Sequence, residues 1–133
     1  MALYLYDASA ILNLVKRGNV KVFAKGCTID LAIYESINAV WKECYIFKRI
    51  RVEVAYGLIE LLSNIFNVLE LYTMRGFEKE VLEIAVKEGI TIYDASYIYI
   101  AARNKLTLIT DDKKLIDTAK KYTNVASTTE ITT

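Results

Sequence analysis

"TIYDASYIYIAARNKLTLITDDKKL" (residues 91–115) is the stretch on which the fold turns. Residues 95–105 carry helical spacing. "LTLIT" at 106–110 is a short apolar strand. "DKKLIDTAKKY" at 112–122 returns to helical character. Helix, strand and helix in close succession point to a parallel sheet covered by helices. Aspartates mark the joints: Asp94 opens the first helix, and Asp111 and Asp112 follow the strand. "ITIY", just ahead, reads as a short extended or turn segment.

Working outward, the same alternation runs through the chain. Residues 2–6 read as a strand and 8–17 as a helix ending near Gly18. "CTI" at 27–29 reads as a second strand. Residues 30–47 form a long helix with Asp30 as its expected N-cap, and a basic connector "KRIR" follows. Helices at 53–65 and 77–89 flank a strand "VLELY" at 68–72, and "VAST" at 125–128 is a candidate last strand. The tetrapeptide Tyr-Asp-Ala-Ser occurs at 6–9 and again at 93–96, but the residues after each copy share only helical character, so it is no repeat. Residues 1–133 are expected to form one domain with a parallel sheet and helices on both faces. In such sheets the positions just past the strand C-termini share a crevice.

Composition narrows the chemistry. With 54% hydrophobic and 25% charged residues the chain is globular. No run approaches the about 20 apolar residues of a spanning helix, and no secretory signal opens the chain, so a cytoplasmic, membrane-free protein is expected. Seventeen basic against sixteen acidic residues give no bulk attraction for nucleic acid, though a local basic groove is compatible with it. Cys27 and Cys44 lack the close spacing of a zinc site. There is no histidine, which removes Ser-His-Asp and Cys-His nucleophiles and His-ligated zinc. No glycine-rich phosphate loop is present. Any catalysis falls to carboxylates.

Asp7, Asp94, Asp111 and Asp112 sit at element ends that can converge in a parallel sheet. Each alone is also explained as a helix cap. Glu35 lies inside the helix at 30–47, nearly opposite an apolar stripe of Ile33, Ile37, Val40, Trp41 and Cys44. Leu31 and Ile46 make that helix apolar almost all round, so burial on two sides is expected. Glu35 there needs a partner: Lys42 or a nearby arginine, or a shared site. Gathered carboxylates repel unless a cation neutralises them. Magnesium and manganese favour carboxylate and water oxygens and activate water against phosphodiesters.

These segments resemble the four motifs of PIN-domain ribonucleases: "LYLYDASAI", "IYESINAVWK", "TIYDASYIYIAARN" and "LTLITDDKKL". In length the chain most resembles the VapC toxins of toxin–antitoxin pairs. The resemblance implies a three-layer α/β/α sandwich with a mainly parallel sheet of about five strands. It implies Asp7, Glu35, Asp94 and Asp112 as catalytic metal ligands, with Ser9, Thr110 and Asp111 around them. It further implies magnesium or manganese, an RNA substrate, a homodimer and an antitoxin that blocks the site. Arg49, Arg51, Arg103, Lys113 and Lys114 are candidate phosphate contacts, or simply a solvated surface. Two alternatives remain at this level: a non-catalytic RNA-binding or scaffold protein on the same fold, and a phospho-accepting receiver domain. The receiver lacks support, since no Asp lies between Asp30 and Asp94.

Overall fold

The computed structural model describes residues 3–131. Five short strands form one sheet: β1 (Tyr4–Tyr6), β2 (Gly26–Ile29), β3 (Glu70–Tyr72), β4 (Thr107–Ile109) and β5 (Val125–Ala126). Their order is β3-β2-β1-β4-β5, and every neighbouring pair is parallel. Six α-helices connect them: α1 (Ala8–Lys16), α2 (Leu31–Trp41), α3 (Val52–Val68), α4 (Glu78–Glu88), α5 (Ile92–Arg103) and α6 (Lys113–Ala119). The result is the expected three-layer α/β/α fold.

The central strands are buried on both faces, as a helix-covered parallel sheet requires. Leu5, Tyr6, Cys27, Leu108 and Ile109 are fully buried. Tyr6 fits this layer because its hydroxyl donates to the Val22 carbonyl at 2.8 Å and its ring meets Phe23 edge-on. Gly26 makes the room: a β-carbon there would collide with the Tyr6 ring. Gly89 closes α4 at φ 67°, a left-handed cap that glycine adopts without strain.

Register fixes what meets at the crevice. Tyr6 pairs with Ile109, so the next residues, Asp7 and Thr110, emerge side by side. Ile29 pairs with Tyr72, which sets Asp30 beside Thr73.

Several boundaries differ from expectation. Helix α5 starts at Ile92 rather than 95, because the Thr91 hydroxyl accepts from the Asp94 N–H at 3.1 Å and caps it. Asp94 is therefore a first-turn residue and not the cap. Asp30 does cap α2, through Leu31 N. Helix α3 runs on to Val68, absorbing the start of the expected strand. Strand β5 stops at Ala126, and Thr128–Glu130 form a 3₁₀ turn under a Ser127/Glu130 capping box.

Helix α2 changes after Trp41 to a π-turn over Lys42–Ile46, with Phe47 N–H donating to Lys42 O at 2.9 Å. Its expected two-sided burial is not seen. The buried face is Ala32, Ser36 and Val40, whose mostly small side chains allow close packing, while Ile37 and Trp41 are 40% and 47% exposed. Trp41 stacks on Tyr45 in solvent.

Candidate active site

Four acids gather along the C-terminal edge of the sheet, each placed by a different device. Asp7 ends β1 and caps α1. One of its carboxylate oxygens accepts from Ala10 N at 2.8 Å and the Ser9 hydroxyl at 2.7 Å; the other accepts from the Thr110 hydroxyl. Asp112 caps α6, accepting from Lys114 N and Leu115 N at 2.9 and 3.2 Å. Thr110 links the two, since its hydroxyl oxygen also accepts from Asp112 N. Asp94 comes from the first turn of α5, and its carboxylate has no hydrogen-bond partner among the described residues. Glu35 reaches in from α2, accepting from the Tyr97 hydroxyl at 2.8 Å.

The acids feel one another. Burial pushes the Asp7 carboxyl up to about 6; its three hydrogen bonds oppose that rise, and the Glu35 charge adds to it. Burial raises Glu35, with the Tyr97 hydrogen bond opposing and the Asp94 charge reinforcing. Asp94 is raised by burial and then by Asp112. Repulsion thus runs from one acid to the next. No lysine or arginine relieves it: the ion pairs among the described residues are Arg49–Glu43, Arg51–Glu53 and Lys121–Glu88. Glu35 does not pair with Lys42.

The row is open. Among the described residues, no three acids stand close enough to ligate one ion together. Free oxygens remain on Glu35, Asp94 and Asp112. Magnesium keeps several waters and is commonly held by one or two carboxylates, so this donor set fits a hydrated divalent cation.

The PIN domain model matches residues 4–121. This chain belongs to the PIN domain family. Among its relatives, the exonuclease VapC9 of Pyrobaculum aerophilum is 38% identical over 119 residues, covering 88% of this chain and 86% of that protein. Ribonuclease VapC3 of the same organism is 33% identical over 92 residues, 68% of each. The crystal structure of PAE2754 from Pyrobaculum aerophilum matches with a TM-score of 0.78 at 31% identity, covering 96% of this chain and 92% of that one. The chain is thus a VapC-like PIN domain.

Within this PIN domain the remaining candidates separate. Ser9 touches Asp7 and also accepts from Asp111 N at 3.3 Å. Asp111 turns away from the acids. Its carboxylate accepts from Asn13 at 2.7 Å and from the Thr128 N–H and hydroxyl at 2.8 and 2.7 Å, and these bonds hold its pKa below the ordinary value despite burial. It fastens the 3₁₀ turn to the site rather than capping a helix. Lys113 and Lys114 follow Asp112, and Lys114 shares a cleft of about 470 Å³ with Asp94.

The three arginines are not drawn to the acids. Arg49 pairs with Glu43 and lies over Phe47; Arg51 pairs with Glu53. Arg103 lies over Phe77, at the far end of α5 from Asp94. Tyr97 is the residue of this candidate site that no sequence pattern indicated. It is 2% exposed, and burial, followed by the Glu35 charge, keeps its hydroxyl protonated and donating. Its one legible signal is its place one helical turn after Asp94.

Proposed function

We propose that this PIN domain is a magnesium- or manganese-dependent endoribonuclease and the toxin of a toxin–antitoxin pair. The observation that carries this reading is the row of four mutually repelling carboxylates, none of them in an ion pair among the described residues. Asp7, Glu35, Asp94 and Asp112 would hold the ion, one or two of them directly and the others through its water shell. When bound, it supplies a water of lowered pKa and charge stabilisation at the phosphoryl group.

The chain's own residues prepare that site. Thr110 and Ser9 fix the Asp7 carboxylate, and Tyr97 fixes one oxygen of Glu35, leaving the other free. Backbone amides at the start of α6 hold one oxygen of Asp112. Burial of Asp7 makes its ionised form costly without a cation, which couples the fold to cation binding. One cleft takes in Asp94, and another is lined by Tyr34 and Tyr93, the chain neighbours of Glu35 and Asp94, an arrangement suited to a strand that continues past the cut, as endonucleolytic cleavage needs.

The partners follow from the same reading. Trp41, Tyr45, Phe47 and Tyr56 are exposed on α2, on and just after its π-turn, and on α3, a surface suited to a second copy of the chain or to an antitoxin. No helix among the described residues is long and apolar enough to cross a membrane.

The test is cleavage of linear and circular RNA in manganese, with and without excess chelator. Cleavage of the circle, lost in chelator, is expected. Undiminished cleavage in chelator by contaminant-free protein overturns the metal mechanism, and a circle left intact while linear RNA is degraded overturns the endonuclease. Light scattering at tens of micromolar should give a dimer mass; a monomer refutes the dimer.

A further inference from the structure

Beside the acid row, over the ends of β2 and β3, lies a cleft of about 400 Å³. It belongs to the same edge of the sheet. The pairing of Ile29 with Tyr72 and the 3.0 Å bond from Asp30 N to Tyr72 O build its floor. The start of α2 and the first turn of α5 form its walls, so the cleft is continuous in chain with two of the four acids. Tyr34 immediately precedes Glu35, and Tyr93 immediately precedes Asp94.

Both rings line this cleft, and they are 76% and 59% exposed. Among the described residues neither ring packs on another aromatic, and neither hydroxyl has a hydrogen-bond partner. Free aromatic faces at the mouth of a nucleic-acid site are stacking platforms for unpaired bases. The charges in the cleft decide between a base and a phosphate. Asp30 and Glu78 line it with a single cation, Arg75, so a phosphate would meet more negative than positive charge. An uncharged, planar base would not. One oxygen of Asp30 accepts from Leu31 N and one of Glu78 from Gly76 N. The other oxygen of each is free to accept from an exocyclic amine, a group that adenine, cytosine and guanine carry and uracil lacks.

We propose that this cleft is a nucleobase subsite. It takes one unpaired base of the RNA beside the scissile bond, stacked on Tyr34 and Tyr93, and favours a base with an exocyclic amine over uracil. The proposal rests on the ribonuclease reading and adds a specificity determinant to it.

The experiment is an abasic scan. Short single-stranded RNAs, each lacking one base, are assayed for kcat and KM in manganese. The proteins are the parent and the double variants Tyr34→Ala with Tyr93→Ala, Tyr34→Phe with Tyr93→Phe, and Asp30→Asn with Glu78→Gln. Removing the base at one position near the cut should raise the parent's KM about 5- to 150-fold, the scale of one base–aromatic stack. The alanine pair should show that rise on intact RNA and no further rise on the abasic strand. The phenylalanine pair should behave like the parent. Uracil at that position should raise the parent's KM but not that of the Asp30→Asn, Glu78→Gln protein. Thermal melts confirm that these surface variants fold. A parent indifferent to every abasic position overturns the subsite, as does an alanine pair with the parent's KM and sensitivity. Equal KM for uracil and amine-bearing bases overturns the amine preference. A parent that cleaves no strand at all overturns the ribonuclease reading itself.

Discussion

Asp7→Asn should stabilise the metal-free protein while destroying its activity. Asp7 is 5% exposed, and its carboxyl is raised from 3.8 to about 6. Holding it ionised at pH 8 therefore costs on the order of 3 kcal/mol. Asparagine carries no charge and caps α1 about as well. It keeps an oxygen for Ala10 N and Ser9, and its amide can donate to the Thr110 hydroxyl oxygen in place of accepting from it. Allowing about 1 kcal/mol for weaker hydrogen bonds, the net gain is about 2 kcal/mol, or roughly 6 °C in Tm for a domain of this size. The sign depends on pH. The folded state binds the Asp7 proton more tightly than the unfolded chain, so this contribution to stability is present below pH 3.8 and is lost as pH rises through about 6. The variant does not suffer that loss. It should be about 1 kcal/mol less stable than the parent at pH 3.5, where Asp7 is largely protonated, overtake it between about pH 4 and 6, and then hold its lead. Thermal melts in chelator from pH 3.5 to 8 read this directly, and added manganese should reverse the order at pH 8. An advantage independent of pH, or a variant less stable than the parent at pH 8, refutes the reasoning.

Three further outcomes are expected. Tyr97→Phe removes the hydroxyl that holds Glu35 and should weaken manganese binding about tenfold or more, since a hydrogen bond to a charged group is worth about 1.5–3 kcal/mol; calorimetric titration measures it, and unchanged affinity would remove Tyr97 from the site. Gly26→Ala drives a β-carbon into the buried Tyr6 ring and should cost about 1–3 kcal/mol, read from urea unfolding. Asp111→Ala cuts the bonds to Asn13 and Thr128 and should lower stability by about 1–2 kcal/mol, with faster amide exchange at Thr128 than in the parent; protection unchanged there would show that the turn is held by other contacts.

What could be read in the sequence is what local chemistry decides. Asp7 and Asp112 stand where a strand ends and a helix begins, and both signals lie within a few residues. Gly89 announces the end of α4 for the same reason. The start of α5 was hidden because Ile92 and Tyr93 favour strands, and the Thr91 cap outweighs them only once the helix packs. Periodicity found a stripe on α2 but not its surroundings. Ile37 and Trp41 look like core, yet the face that packs carries Ala32 and Ser36, residues a hydrophobicity pattern undervalues. Glu35 was legible through family resemblance, while its partner Tyr97, 62 positions away, was not. Register put Asp7 beside Thr110 across 103 positions, and no local pattern encodes that.

That last separation has a consequence for the order in which the molecule is made. Asp7 and Glu35 leave the ribosome early, yet Thr110, which clasps Asp7, and the acids Asp94 and Asp112 come in the last third of the 133 residues. Strand β1 has no β4 to pair with until then, and such distant pairings form late because loop closure must precede them. On the ribonuclease reading, a growing chain beside its own messenger RNA and the ribosomal RNA carries half an active site. Synthesis itself acts as a safety catch, released only once residues 94–112 have emerged.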